Sequence, residues 1–111
     1  MKEAAFQTQV LELATRLGWR TAHFRTARTT DRRGRIRYQT AVAGDGAGFP
    51  DLVLVRDRVI FAELKTDTGQ LRTEQHDWLK ALTNTGVETH VWRPRDWDAI
   101  IATLRTTERP K

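Results

Sequence analysis

The sequence predicts an α/β domain: a β-sheet covered by helices, in the order αβββαβα. Three observations carry this reading. Apolar residues recur at helical spacing near the N-terminus, again from residue 73, and again from residue 97. Two short runs rich in Val, Leu, Ile and Phe lie between the first two of these segments, separated by the three residues Arg56-Asp57-Arg58. Both runs are apolar at consecutive positions, so a sheet built from them needs cover on each face.

Residues 3–17 read as the first helix, with Phe6, Val10, Leu13 and Leu17 as its apolar stripe and Gly18 as its stop. Glu3 and Gln7 share that stripe, so a carboxylate projects from the first turn on the core-facing side. Residues 19–24 read as a strand and residues 25–48 as a long loop, Arg-rich first and Gly-rich later. A loop of that length inside a compact domain is usually functional or mobile. Strands follow at residues 51–55 and 59–65. Thr73 can cap a second helix running to about Asn84, with Trp78, Leu79 and Leu82 on one face, Gln75 beside them in the first turn, and Gly86 past the end. Residues 87–92 form a further strand, and Asp96 can cap a last helix with Trp97, Ile100, Ile101 and Leu104 in register. Residues 1–105 read as one domain and residues 106–111 as a frayed tail, with no repeat or internal boundary.

A chain of 111 residues can bury one modest core. Hydrophobic content of 39%, with four Trp and four Phe, places it among folded rather than disordered chains. With no cysteine, disulfides and thiolate metal sites are excluded. No apolar run approaches membrane-spanning length, and the N-terminus lacks the pattern of a secretory signal. A cytoplasmic protein with no membrane partner is expected.

Net charge is +5 and unevenly placed. Residues 20–40 hold Arg20, Arg25, Arg28, Arg32, Arg33, Arg35 and Arg37 against one acid, Asp31, so this segment carries +6 and the rest of the chain −1. A polyanion, nucleic acid above all, is the natural partner; the plain alternative is a solvated basic loop. Arginine at every basic position favours phosphate, whose oxygens its planar fork grips in pairs. Arg25, Arg28, Arg32, Arg33, Arg35 and Arg37 are therefore candidate DNA contacts. Phosphate contacts carry no sequence information, so selectivity for DNA shape rather than base sequence is expected.

The chemistry is concentrated in the two central strands. Gly48-Phe49-Pro50-Asp51-Leu52 opens the first, and Glu63-Leu64-Lys65 closes the second. Carboxylates and an ammonium group are costly on strands otherwise made of apolar residues. A loop centred on Asp57 pairs residues equidistant from it, and Asp51 and Glu63 lie six positions to either side. They then face each other with Cβ atoms roughly 4.5–5.5 Å apart. Lys65, two residues on, points to the same face. A two- or four-residue loop would set the acids on opposite faces. Facing carboxylates repel, and Mg²⁺ removes the conflict, because it takes oxygens from one or two carboxylates and leaves its other positions to water and phosphate. The alternative is a solvated hairpin with salt-bridged ends, which the surrounding Val, Leu, Ile and Phe disfavour.

Pro50-Asp51, eleven intervening residues, then Glu63-Leu64-Lys65 resembles the PD-(D/E)xK nuclease superfamily. Within it, the chain is similar to the virus-type replication–repair nuclease (VRR-NUC) domain. The likeness spans nearly the whole chain: Glu3 on the first helix, Gly18-Trp19, Gly48 to Leu52, Glu63-Leu64-Lys65, Gln75 with Trp78-Leu79, and Val91-Trp92-Arg93-Pro94. The short acidic pattern alone is weak, whereas the ordered set is specific. The resemblance implies a restriction-endonuclease-like α/β core, with a central mixed β-sheet flanked by helices, and cleavage of DNA phosphodiesters that depends on Mg²⁺ or Mn²⁺, often at branched structures. Stand-alone members of this size look like phage or prophage proteins, and some act as dimeric enzymes that resolve four-way junctions. The implied partners are branched DNA and a second copy of the chain.

Residue by residue, Asp51 and Glu63 match the family's metal-binding carboxylates. Lys65 matches the lysine that orients or activates the attacking water and stabilises charge developing on phosphorus. Glu3 matches the helix-one acid, a further metal ligand directly or through water, and Gln75 matches the glutamine that steadies the site from the second helix. Two of these positions have plainer explanations. A first-turn acid is favourable at the helix dipole, and a glutamine in a first turn commonly hydrogen-bonds the backbone there. Nicking or flap cutting would use the same residues. A non-catalytic nucleic-acid-binding module or an accessory subunit is a different class, and a binding module needs no such acidic cluster.

Gly44-Asp45-Gly46-Ala47-Gly48 looks superficially like a phosphate-cradling loop. It precedes a strand and lacks a following Gly-Lys-Ser/Thr, so no nucleotide cofactor is expected, and a hinge for the Arg-rich loop is the better reading. His23, His76 and His90 share no metal-ligand spacing; His23 is the best placed for chemistry because it ends a strand beside that loop. Trp19, Trp78, Trp92 and Trp97 occupy core-like positions.

Overall fold

The structure, a computed structural model, describes residues 2–24, 26–40 and 44–107. Helix α1 (Glu3–Arg16) leads into strand β1 (Arg20–His23), then β2 (Thr26–Thr30), β3 (Ile36–Thr40), β4 (Leu52–Val55) and β5 (Val59–Leu64). Helix α2 (Thr73–Asn84), strand β6 (Glu88–Trp92), a 3₁₀ turn (Pro94–Asp96) and helix α3 (Trp97–Arg105) complete the chain. The main sheet has the order β1-β4-β5-β6. Its first three strands are antiparallel and β6 runs parallel to β5, as a helical crossover through α2 requires. With β2 and β3 set aside, the order is the expected αβββαβα.

Residues 25–48 are not one loop, as the sequence reading had it. β2 and β3 form a separate two-stranded antiparallel ribbon, with Thr26 opposite Thr40 and Thr30 opposite Ile36. The physical reason lies in β-branched residues, Thr26, Thr29, Thr30, Ile36 and Thr40, on either side of a Gly-containing turn. Asp31 organises that turn. Its Oδ1 accepts the Arg33 and Arg35 N–H groups, both at 2.9 Å, and Gly34 takes the left-handed conformation with φ +78°. The ribbon is rooted by Phe24 and Phe49, whose rings meet edge to face at 5.3 Å.

One face of the sheet is dry. Leu52, Leu54, Ile60, Ala62 and Leu64 are fully buried in a cluster with Phe6, Val10 and Ala14 of α1 and Ile100 and Leu104 of α3. Burying each larger side chain stabilises the fold by about 1.5–3 kcal/mol. The stripe of α1 runs through Ala14, while Leu13 and Leu17 pack at its margin. The opposite face carries Val53 and Phe61, both half-buried. There Phe49 packs edge to face on Phe61 (6.2 Å) and on Trp78 of α2 (5.0 Å).

The turn Arg56–Arg58 ties these layers together. The Arg56 guanidinium lies 4.4 Å from the centre of the Trp19 ring and donates to the carbonyls of Leu17 (2.9 Å) and Leu104 (3.0 Å). Arg58 donates to the carbonyls of Thr103 (2.9 Å) and Thr106 (2.6 Å). Trp19 Nε1 also donates to the Leu104 carbonyl at 2.9 Å. Two guanidinium groups thus satisfy the carbonyls that the ends of α1 and α3 leave open. Thr106 is held by these bonds rather than frayed, and residues 108–111 lie outside the described residues.

Candidate active site

The register of β4 on β5 sets the site. Leu52 pairs with Ala62, Val53 with Phe61, Leu54 with Ile60 and Val55 with Val59. Pairing is therefore symmetric about Asp57, and continuing it one residue past the start of β4 sets Asp51 opposite Glu63, whose carboxyl it contacts. Asp51 is locked at both its carbonyl and its carboxylate. Its carbonyl accepts the Phe24 N–H at 2.8 Å, and its Oδ2 accepts the Leu64 N–H at 2.9 Å.

A cavity of about 620 Å³ opens at this end of the sheet, and Glu3, Asp51, Glu63, Lys65 and Gln75 all line it. The structure thus brings together all five residues that the sequence singled out for chemistry. His23 and Arg72 share the wall. His23 arrives on β1, whose register places it opposite Leu52. His90 is elsewhere, bonded to Glu88 at 2.7 Å and stacked on Trp92.

Glu63 is 1% exposed. Its Oε1 accepts a hydrogen bond from Gln75 Nε2 at 3.0 Å, and its Oε2 is buried without a hydrogen-bond partner. Burial pushes the Glu63 carboxyl up to about 9, reinforced by its contact with the Asp51 carboxyl and by the charge of Asp51, against an opposing pull from Lys65. Two carboxyls in contact can share a proton but neither can donate when both are ionised, so Oε2 has no donor in the charged state. Glu3 is held above the usual carboxylate range by burial and then by Asp51, with Lys65 and Arg72 pulling the other way.

A buried, donorless carboxylate oxygen beside a second carboxylate fits a hard divalent cation such as Mg²⁺ or Mn²⁺. Among the described residues, no group of three or more His, Cys, Asp or Glu side chains is disposed to hold a metal. The fitting pair is Asp51 and Glu63, and Glu3 stands on the wall of the same cavity.

Gln75 fulfils both readings of its position at once. Its Oε1 accepts the Arg72 N–H at 2.8 Å, which is helix-start bonding, while its amide donates to Glu63. The residue at the N-cap of α2 is Arg72, and Thr73 is the first helical residue rather than the cap. Gly48 lets these parts meet. Its φ is +83°, and a Cβ there would lie 2.5 Å from the Glu74 carbonyl carbon and 2.7 Å from the Gln75 nitrogen. Trp78 Nε1 donates to the Asp45 carbonyl at 2.9 Å. The glycine run is therefore pinned to α2 rather than hinged, because its function is close approach of backbone to helix.

Sequence reasoning gave no role to two arginines, one on the cavity wall and one behind its loop. Arg93 donates to the carbonyls of Thr66 (2.6 Å) and Gly69, holding the loop between Lys65 and α2. A single Arg after a strand gives no signal of that role. Arg72 lines the cavity itself; its signal was its place immediately before a helix start. Among the candidate DNA contacts, Arg32 and Arg33 are exposed at the ribbon tip, and Arg35 is exposed but paired with Asp31 at 3.0 Å. Arg28 and Arg37 fall on the ribbon strands, opposite Tyr38 and Thr29. Arg25 lies outside the described residues.

A mixed sheet flanked by helices, with a facing acidic pair and a lysine at one end, is a restriction-endonuclease-like α/β core. The VRR-NUC domain matches residues 20–96, and the chain belongs to this family. Membership implies a nuclease-type function with DNA as the substrate. The matched span includes Asp51, Glu63, Lys65 and Gln75, whereas Glu3 lies before it. No curated protein and no solved structure matches the chain.

Proposed function

We propose that this chain is a metal-dependent, structure-selective DNA endonuclease that acts on branched DNA, including four-way junctions. The observation that carries the proposal is the pairing of Asp51 with Glu63 in one cavity with Lys65, with Glu63 Oε2 buried and donorless. Asp51 and Glu63 would hold Mg²⁺ or Mn²⁺, with Glu3 contributing from the wall of the cavity. Bound there, the cation supplies Lewis acidity toward a phosphoryl oxygen and toward water.

The chain's own residues do the rest. Asp51 is fixed by the Leu64 N–H and Glu63 by the Gln75 amide, so neither carboxylate has to reorganise when DNA arrives. Lys65 lines the same cavity, and its ammonium would orient the attacking water and offset the negative charge that grows on the phosphate. The exposed Arg32 and Arg33 at the ribbon tip supply phosphate contacts away from the cavity. The described residues of one chain form one such acidic cavity, and symmetric cutting of two strands needs two, so a homodimer is the working form for junction resolution.

The test is cleavage of labelled four-way junction, flap, duplex and single-stranded DNA by purified protein, with Mg²⁺, with Mn²⁺ and with chelator. Metal-dependent cutting of the branched substrates is expected. No cutting of any substrate with either metal would refute the proposal.

A further inference from the structure

Arg72 occupies a position that a helix start ordinarily gives to another kind of residue. N-caps favour Ser, Thr, Asp and Asn, whose side-chain oxygens accept the free N–H groups of the first turn. A guanidinium has only donors and cannot do this, and Arg72 makes no side-chain capping bond. The cap position is therefore filled at a cost to helix stability.

Among the described residues, no acid closes an ion pair with it in exchange. Arg72 is exposed, and among the described residues its side chain makes no ion pair and no hydrogen bond. Two other arginines that flank the Lys65–Arg72 loop are committed: Arg93 holds the carbonyls of Thr66 and Gly69, and Arg95 bonds Asp67. Arg72 instead reaches the cavity wall, where its charge acts on Glu3. Its backbone is fixed, because its N–H is bound by the same Gln75 that holds Glu63. A residue that breaks a local rule without a compensating contact marks a functional position.

We propose that Arg72 is a phosphate-binding residue, which grips the backbone of the DNA strand entering the cavity beside Lys65. This rests on the endonuclease reading but is judged by a separate measurement. The planar fork of Arg72 engages phosphate oxygens and holds the strand while the acidic pair acts on its neighbour. The sacrificed cap predicts an unusual signature: the variant that loses DNA should gain stability.

The experiment uses Arg72→Ser and Arg72→Lys, each in the cleavage-inactive Asp51→Asn protein, with binding to four-way junction DNA titrated against salt and melting followed in parallel. Arg72→Ser should raise Tm by roughly 2–6 °C, because serine can cap. It should also weaken binding about tenfold at low salt and flatten the log–log salt dependence by roughly 0.9, the release of one counterion contact. Arg72→Lys should keep the slope. An unchanged slope and affinity in Arg72→Ser would overturn the proposal, as would a fall in its Tm, which would mean that Arg72 acts structurally. If the wild-type chain cuts nothing, the endonuclease reading fails while the binding titration still judges Arg72.

Discussion

Gln75 ties helix α2 to strand β5 through a 3.0 Å bond to Glu63, and among the described residues no other N–H donor reaches the buried Glu63 carboxyl. The same side chain closes the first turn of α2 at 2.8 Å. Replacing it with leucine should therefore move two quantities together. Stability should fall by about 1–3 kcal/mol, since a buried carboxyl and a helix-start N–H both lose partners. Metal-dependent cleavage should fall by roughly 10–100-fold, the usual effect of removing a group that orients a ligand. Metal titration and melting curves on one preparation check both.

Asp51→Asn should abolish cleavage while sparing the fold. Asparagine keeps an oxygen for the Leu64 N–H, now met at 2.9 Å, but removes one charge from the cation-holding pair. Loss of several kcal/mol of transition-state stabilisation corresponds to a rate drop of about 10³-fold or more. DNA binding by gel shift should be retained. Persistent Mg²⁺-dependent cutting by this variant would remove Asp51 from the chemistry.

Glu63 predicts an inverse dependence of metal-free stability on pH. Its carboxyl is raised to about 9 by burial and by Asp51, so the folded state holds a proton that the unfolded chain gives up above about 4.5. The stability linked to that proton is complete below the unfolded value and is lost as pH rises toward 9. Melting of the chelated protein should decline from pH 5 to pH 9. Glu63→Gln should flatten the decline and abolish cleavage. Added Mg²⁺ should restore more stability at high pH than at low pH.

Glu88 predicts the opposite sign. Burial alone would raise its carboxyl, but hydrogen bonds from Arg58 (2.8 Å) and His90 (2.7 Å), with their charges, outweigh burial and leave it lowered. Its contribution is present above the unfolded value near 4.5 and is lost as pH falls through the folded value. Glu88→Ala should destabilise by about 1–3 kcal/mol at pH 7, because the nearly buried Arg58 loses the nearer of its acidic partners, Asp57 remaining at 3.7 Å. The variant should also show a shallower loss of Tm on acidification than the wild type.

Arg32→Ala with Arg33→Ala should weaken binding to all duplex sequences alike. Each lost phosphate contact lowers the salt slope by about 0.9. The fold should not change, since both side chains project from a turn that Asp31 organises through its own bonds. A loss confined to one DNA sequence would argue for base reading instead.

The parts of the molecule that could be read from the chain are those where chemistry and burial constrain each other. The β4–β5 register was legible because a slip by one residue would separate Asp51 from Glu63 and turn the apolar set outward. That Glu3 and Gln75 line the same cavity as Asp51 and Glu63 was legible too, because polar residues on apolar stripes stand out. The ribbon was not, since Arg and Thr give no apolar alternation, and its signals were only the β-branched residues on either side of the Asp31–Gly34 turn. The shift of the α1 stripe to Ala14 was also hidden, because Leu13 and Leu17 are the larger apolar residues on nearly the same face. Arg56, Arg58 and Arg93 look like solvated turn residues in one dimension, and only the folded chain brings distant carbonyls to them.

The Arg56–Arg58 turn has a bearing on how such a small enzyme could evolve. The two guanidinium groups that flank Asp57 anchor both helices of the dry layer, and the span between them also dictates which acids meet at the far end of the strands. An insertion or deletion here would unseat the helices and misalign the reactive pair in a single event. Drift in the length of this connection is thus screened out at folding, before any faulty protein could meet a chromosome.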